Sequence, residues 1–73
     1  MLSKSDVGKT YVVTGMDLPE MIQRRLEALG LTLGTPLTVL SSKGKGILIV
    51  KFRGTRFALG NRISEKIEVE AVR

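Results

Sequence analysis

The sequence contains no cysteine, no histidine and no tryptophan among its 73 residues. Without cysteine or histidine, the chain cannot form a disulfide or the usual structural zinc sites that stabilise very small domains. Histidine is the commonest general acid or base near neutral pH, and cysteine is a common nucleophile. These absences exclude the usual routes to catalysis, and we expect a protein that is not an enzyme.

Long apolar runs are also lacking. The longest uninterrupted run is residues 47–50, far below the roughly 20 apolar residues that a membrane-spanning helix needs. The first residues contain no apolar stretch of the signal-peptide kind. We therefore expect a cytoplasmic protein, and the absence of cysteine agrees with a reducing compartment.

Aliphatic residues are abundant, since 22 of the 73 residues are Leu, Ile or Val. This content is enough for one small core, and the length allows a single domain over residues 1–73. The 12 Lys and Arg residues outnumber the seven Asp and Glu residues, which gives a net charge of +5. Such a balance favours an acidic partner, although scattered cations also keep a small domain soluble.

The spacing of the apolar residues predicts a first strand followed by one helix. Residues 10–14 are β-branched or aromatic, which indicates a strand, and residues 18–29 have apolar positions at helical spacing. Asp17 is the expected N-cap, with Glu20 completing a capping box and Pro19 in the first turn. Gly30 is the expected left-handed residue that ends the helix.

The rest of the chain predicts strands. We expect them at residues 37–40, 47–53, 56–59 and 67–71, with turns at 34–36, 41–46 and 54–55 and one helical turn at 60–64. Leu48, Val50 and Phe52 form one apolar strand face, which should lie in the core together with Phe57.

These elements predict a mainly β fold, a small SH3-like antiparallel barrel of about five strands with one α-helix after the first strand. An OB-fold has a similar number of strands but usually carries its helix between the third and fourth strands. Here a two-residue turn leaves no room for that helix. We therefore favour the SH3-like arrangement over the OB-fold.

Neither a metal site nor a cofactor site is expected. Glu68 and Glu70 share one face of the last strand, where they could form a weak site for a hard metal ion, but that face is expected to be exposed. A site for ferrous iron or another transition metal normally includes imidazole or thiolate ligands, which are absent.

Surface residues offer two candidate binding features. Lys43 and Lys45 place positive charge on the hairpin between the second and third strands. Nucleic acid is an unlikely ligand, because only three aromatic residues are present and at least two are expected in the core. Candidate apolar contacts comprise Leu31 and Leu33 after the helix and Ile47 and Ile49 on the third strand. The alternative is that the helix covers them; Ile47 and Ile49 could also support a weak homodimer.

Residues 25–40, RLEALGLTLGTPLTVL, resemble the signature of FeoA, the small cytosolic component of bacterial ferrous-iron transport. That family carries R-L-x-x-L-G-[LF]-x-x-G-x-x-[LV]-x-V followed by a glycine-containing hairpin. Residues 50–59, VKFRGTRFAL, resemble its next strand pair, and residues 63–69 resemble its closing A-x-x-I-x-V with Ser64 in place of Ala. The loop at residues 41–46 departs from the Pro-containing loop of many members, so a contact there would be basic.

The resemblance implies an SH3-like fold, no enzymatic activity, and binding to the FeoB-type membrane transporter on its cytosolic side. We expect the contact to involve the helix, the following loop and the basic hairpin. The candidate partner-binding residues are Arg24, Arg25, Leu31, Leu33, Lys43, Lys45, Ile47 and Ile49. Two alternatives remain open: a basic barrel that binds nucleic acid, and a metal-responsive regulatory module akin to the C-terminal domain of iron-dependent repressors. The resemblance to FeoA also implies a role in iron homeostasis and transition metal ion binding.

Overall fold

Five strands form one antiparallel sheet in the computed structural model, which describes residues 1–72. The strands are β1 (Thr10–Met16), β2 (Pro36–Lys43), β3 (Ile47–Phe52), β4 (Thr55–Leu59) and β5 (Ile67–Ala71). Helix α1 (Glu20–Leu29) follows β1, and the short helix α2 (Asn61–Ser64) precedes β5. Two 3-10 turns lie at Leu2–Lys4 and Gly44–Gly46. Arg73, the end of the predicted domain, lies outside the described residues.

The strand order is β4-β3-β2-β1-β5, so β4 and β5 are the two edges of the sheet. Register shifts between Val13 and Gly15 and between Val39 and Ser41 mark β-bulges, which bend and twist a sheet. Both edge strands contribute to the same core, and the sheet must therefore curl around it. The predicted mainly β architecture, with its helix after the first strand, is confirmed.

One apolar cluster fills the inside of this curled sheet. Its buried members are Leu2, Tyr11, Val13, Leu26, Leu31, Leu37, Val39, Leu48, Val50, Phe52, Leu59 and Ile67. The predicted core face of β3 is therefore confirmed. Phe57 is less buried than predicted: it is half-buried against this core, with its ring stacked on Phe52 at a centroid distance of 4.4 Å.

The start of α1 differs from the sequence prediction. Pro19 occupies the N-cap position, and no side chain caps the helix. Asp17 lies two residues before this position, where its backbone N–H donates to the carbonyl of Lys66 at 2.8 Å and continues the pairing of β1 with β5. The predicted capping box is therefore wrong, although Glu20 does lie in the first turn.

The two hairpin turns of the β2–β4 region differ from the prediction: the first is shorter, and the second lies one residue earlier in the chain. Strand β2 extends to Lys43, and only Gly44–Gly46 remains as the turn, with Lys45 at a φ of 68°. The next turn is formed by Arg53 and Gly54, with φ angles of 53° and 75°, while Thr55 already pairs with Phe52. A two-residue hairpin loop favours positive φ at both positions, because that geometry matches the twist of the flanking strands.

Candidate functional site

Charge is distributed unevenly along the chain. Residues 28–64 contain six of the 12 Lys and Arg residues and none of the seven Asp and Glu residues. The six are Lys43, Lys45, Lys51, Arg53, Arg56 and Arg62. Within residues 1–72, none of these six makes an ion pair with a carboxylate. The strands β2–β4, their turns and α2 therefore carry positive charge only, and we call this part of the molecule the cationic half.

Two like charges face each other on the outside of the cationic half. Lys51 on β3 lies directly opposite Arg56 on β4, and on its other side it lies opposite Thr38 on β2. Directly opposite side chains share a face of the sheet, and like charges in this arrangement destabilise it. An acidic partner would remove this repulsion on binding.

The apolar residues of the same outer face are flanked by these cations. Ile49 is half-buried between Ser41 and Ala58, and Ile47 lies opposite Lys43 with 38% of its surface exposed. A symmetric homodimer through this face would bring the cations of the two copies together. The predicted weak homodimer stays a prediction, and this repulsion opposes it.

Leu31 is completely buried, so the expectation that it contacts a partner is wrong. Its N–H donates to the carbonyl of Leu26 at 2.9 Å, and the N–H of Gly30 donates to that of Glu27 at 3.0 Å. This pair of hydrogen bonds is the Schellman motif, in which the residue after the glycine packs on the last turn of the helix. Leu33, two residues further on, remains 64% exposed.

Arg53 holds the end of α1 against the β3–β4 turn. Its Nε donates to the carbonyl oxygen of Gly30 at 3.1 Å. Thr35 fixes the intervening loop. Its hydroxyl donates to the same carbonyl at 3.1 Å and accepts a hydrogen bond from the Thr32 N–H at 3.0 Å. Arg53 therefore has a positioning role that strand alternation alone did not reveal.

An apolar cleft of about 340 Å³ lies between α1, β4 and α2. Its walls include Ile22, Leu26 and Leu29 from α1, Phe57 and Leu59 from β4, and Ile63 from α2. Arg25 is the only charged residue that lines it. The sequence did not predict this cleft, because helical spacing shows which face of α1 is apolar but not how closely that face approaches the sheet.

The predicted partner-binding residues do not form one cluster. Arg24 pairs with Glu20 one turn earlier on α1, while Arg25 lines the cleft. Lys43 and Lys45 lie at the β2–β3 turn, where a Cβ on Gly46 would come within 2.7 Å of the Cβ of Asn61 at the start of α2. Strand β3, about 17 Å long, separates this turn from the turn at Arg53. The cleft and the outer face of the cationic half are thus two distinct candidate surfaces.

The carboxylates of residues 1–72 are scattered and do not form a cluster. Among residues 1–72, no group of three or more carboxylates is placed to hold a metal ion. Glu68 approaches the N-terminal amine of Met1 at 3.3 Å, and Glu70 is exposed. In the same part of the chain, every helix is too short or too polar to cross a bilayer.

Comparison with known proteins identifies the family. The family model described as the FeoA domain matches residues 1–71. The chain belongs to the FeoA family. A search of curated proteins returned no match. The family resemblance of residues 25–40 and 50–59 is thereby confirmed, and this membership associates the chain with ferrous iron transport.

Two solved FeoA structures resemble the whole domain. A crystal structure of an iron uptake regulatory protein, FeoA, is 28% identical, with a TM-score of 0.86 over 97% of this chain and 95% of that chain. A FeoA from Stenotrophomonas maltophilia, solved in complex with zinc, is 30% identical, with a TM-score of 0.79 over 94% of this chain and 87% of that chain. The latter is described as an SH3 domain protein and proposed as a ferrous iron transport activating factor.

A manganese-dependent transcriptional repressor shares the fold. It is 22% identical, with a TM-score of 0.87 over 97% of this chain and 40% of that chain. At this identity the likeness concerns the fold alone. This chain therefore shares its fold with a part of that repressor.

Proposed function

We propose that this FeoA-family chain is a non-enzymatic, cytoplasmic accessory protein of ferrous iron uptake. Its partner in this proposal is the FeoB-type transporter, which it binds on the cytosolic side and which it supports or regulates. Family membership supports the link to iron transport. The observation that carries the choice of a protein partner is the cationic half, whose six Lys and Arg residues make no ion pair within residues 1–72.

The cationic half is better suited to binding an acidic protein than to binding nucleic acid. Barrels that bind single strands usually stack bases on exposed aromatic side chains. Tyr11 and Phe52 are buried, and Phe57 is half-buried against Phe52. Unpaired cations around half-exposed aliphatic residues such as Ile47 are typical of a surface that receives an acidic protein.

The test is a binding titration of the isotopically labelled chain with FeoB. The cytosolic G-protein domain and the full transporter are compared, each with and without a GTP analogue. The double variant Lys43→Glu/Lys45→Glu removes positive charge from the cationic half. The matched control Lys4→Glu/Lys66→Glu makes the same change in net charge at exposed lysines outside it.

We expect the first double variant to weaken binding at least about fivefold and the control to weaken it less than about twofold, because charge acts mainly on nearby partner charges. Equal losses would show that only net charge matters and would refute the assignment to the cationic half. Absence of binding to either form of FeoB would refute the proposed partner. Tighter binding to a DNA duplex, with affinity falling steeply with salt, would favour the nucleic-acid alternative.

A further inference from the structure

Helix α1 buries few of its apolar side chains. Leu26 is its only fully buried residue, and Ile22 is half-buried. Met21 is 72% exposed and Leu29 is 50% exposed. The helix is therefore anchored mainly near its C-terminal end by Leu26 and the loop that follows, while its first half contributes only the half-buried Ile22 to the core. The apolar cleft is the space left between α1, β4 and α2.

The lining of this cleft is suited to receiving apolar side chains. The stacked rings of Phe52 and Phe57 contribute to its wall, and Leu29 lies half-exposed at its edge. A volume of about 340 Å³ is roughly twice that of an engineered cavity that holds one benzene molecule, about 150 Å³. One or two bulky side chains would therefore fill it.

Arg25 gives the cleft a charge preference. It is the only charged lining residue, and it makes no ion pair within residues 1–72, whereas the neighbouring Arg24 is paired with Glu20. Two walls of the cleft, β4 and α2, belong to the cationic half, where no carboxylate occurs in the sequence. A ligand that enters the cleft thus meets uncompensated positive charge at its rim.

We propose that the cleft binds an acidic segment of the partner protein that inserts one or two bulky apolar side chains, with a carboxylate beside Arg25. The identity of that partner as the transporter rests on the function proposed above. Insertion of one fully buried apolar side chain should strengthen binding about tenfold to a hundredfold. The cleft therefore provides a contact whose strength depends on shape and not only on charge.

Leu29→Glu tests the proposal, with Met21→Glu as its matched control. Both variants place a carboxylate at an exposed apolar position of the same helix, but only Leu29 lines the cleft. A second pair, Arg25→Gln and Arg24→Gln, removes the same charge beside the cleft and away from it. Thermal unfolding of each variant confirms that the domain is folded before binding is measured.

Two probes are titrated into the full chain: the cytosolic domain of FeoB, and a synthetic acidic hexapeptide with Leu-Phe at its centre. The peptide should shift the methyl resonances of Ile22, Leu29 and Ile63, and its counterpart with Ala-Ala at the centre should not. Leu29→Glu should weaken both probes at least about tenfold and Met21→Glu less than about twofold. Arg25→Gln should weaken them more than Arg24→Gln does.

The outcomes separate this proposal from the proposed function. If FeoB binds the wild type and Leu29→Glu equally well, the cleft is not the docking site, and the transporter proposal stands. If neither the cytosolic domain nor the full transporter binds but the peptide shifts the cleft resonances, the partner is wrong and the cleft proposal stands. If the peptide shifts only resonances of residues outside the cleft, the cleft proposal is refuted.

Discussion

Gly30 joins α1 to the rest of the domain, and we expect Gly30→Ala to lower the free energy of unfolding by about 2–3 kcal/mol. The φ of Gly30 is 106°, a conformation that costs a residue with a Cβ roughly 1–2 kcal/mol. An added Cβ would also lie 2.8 Å from the Cδ of Arg53, so the arginine side chain must move. Moving it breaks the 3.1 Å hydrogen bond to the Gly30 carbonyl, worth about 0.5–1.5 kcal/mol.

A double-mutant cycle with Arg53→Ala separates these two contributions. The alanine keeps the left-handed backbone of residue 53 but removes the side chain that Gly30→Ala would displace. In the Arg53→Ala background, Gly30→Ala should therefore cost only about 1–2 kcal/mol, which leaves the backbone contribution alone. Urea unfolding followed by circular dichroism measures each free energy, provided that the denaturant slope is unchanged among the four proteins.

Gly60→Ala is the control for this cycle. Gly60 has an ordinary φ of −70°, and no atom lies within 4 Å of the position of an added Cβ. Alanine reduces the entropy of the unfolded chain but is less favourable than glycine at this N-cap of α2, and because the two effects oppose each other the free energy of unfolding should change by less than about 0.5 kcal/mol. An equal cost of Gly30→Ala with and without the Arg53 side chain would refute the contact between them. A cost below about 0.5 kcal/mol would refute the left-handed end of α1.

Three further changes test other parts of the structure by thermal or urea unfolding. Leu2→Ala should cost about 2–5 kcal/mol because Leu2 is completely buried, and a cost below about 1 kcal/mol would show that the N-terminus is not docked. Thr35→Val should cost about 1–3 kcal/mol, because it removes the hydroxyl that donates a hydrogen bond to the Gly30 carbonyl. An unchanged stability would refute that part-buried hydrogen bond. Lys51→Glu should stabilise the domain by about 0.2–1 kcal/mol at low salt, since it faces Arg56; destabilisation would show that the pair does not interact.

The sequence predicted the parts of the fold that depend on regular alternation. Leu48, Val50 and Phe52 are all buried as expected, because a strand with one wholly apolar face has only one stable orientation against a core. The span of β5, Ile67–Ala71, is also as predicted. Gly30 ends α1 as expected, since only glycine adopts its backbone conformation without strain.

The predictions that failed depended on partners distant in the sequence. Asp17 is of a residue type favoured at N-caps, but β1 continues its pairing with β5 as far as Asp17, and α1 begins only at Glu20, which no local pattern shows. We expected Leu31 to contact a partner, although the sequence already indicates that Leu31 is buried. The order Leu26, then Gly30, then Leu31 is that of a Schellman motif with its hydrophobic contact. A glycine that ends a helix therefore predicts burial of the apolar residue that follows it.

The two candidate surfaces act over different distances, which explains why only one of them was visible in the sequence. Charges on the cationic half act across a Debye length of about 10 Å at 0.1 M salt, so the face that carries them matters more than the exact position of each charge on that face. Composition and order along the chain are enough to reveal them. The cleft acts only at contact, and its walls come from α1 on one side and from β4 and α2 on the other, two parts of the chain that are far apart in the sequence. Charge therefore favours encounter with many acidic surfaces, whereas the shape of the cleft selects among them.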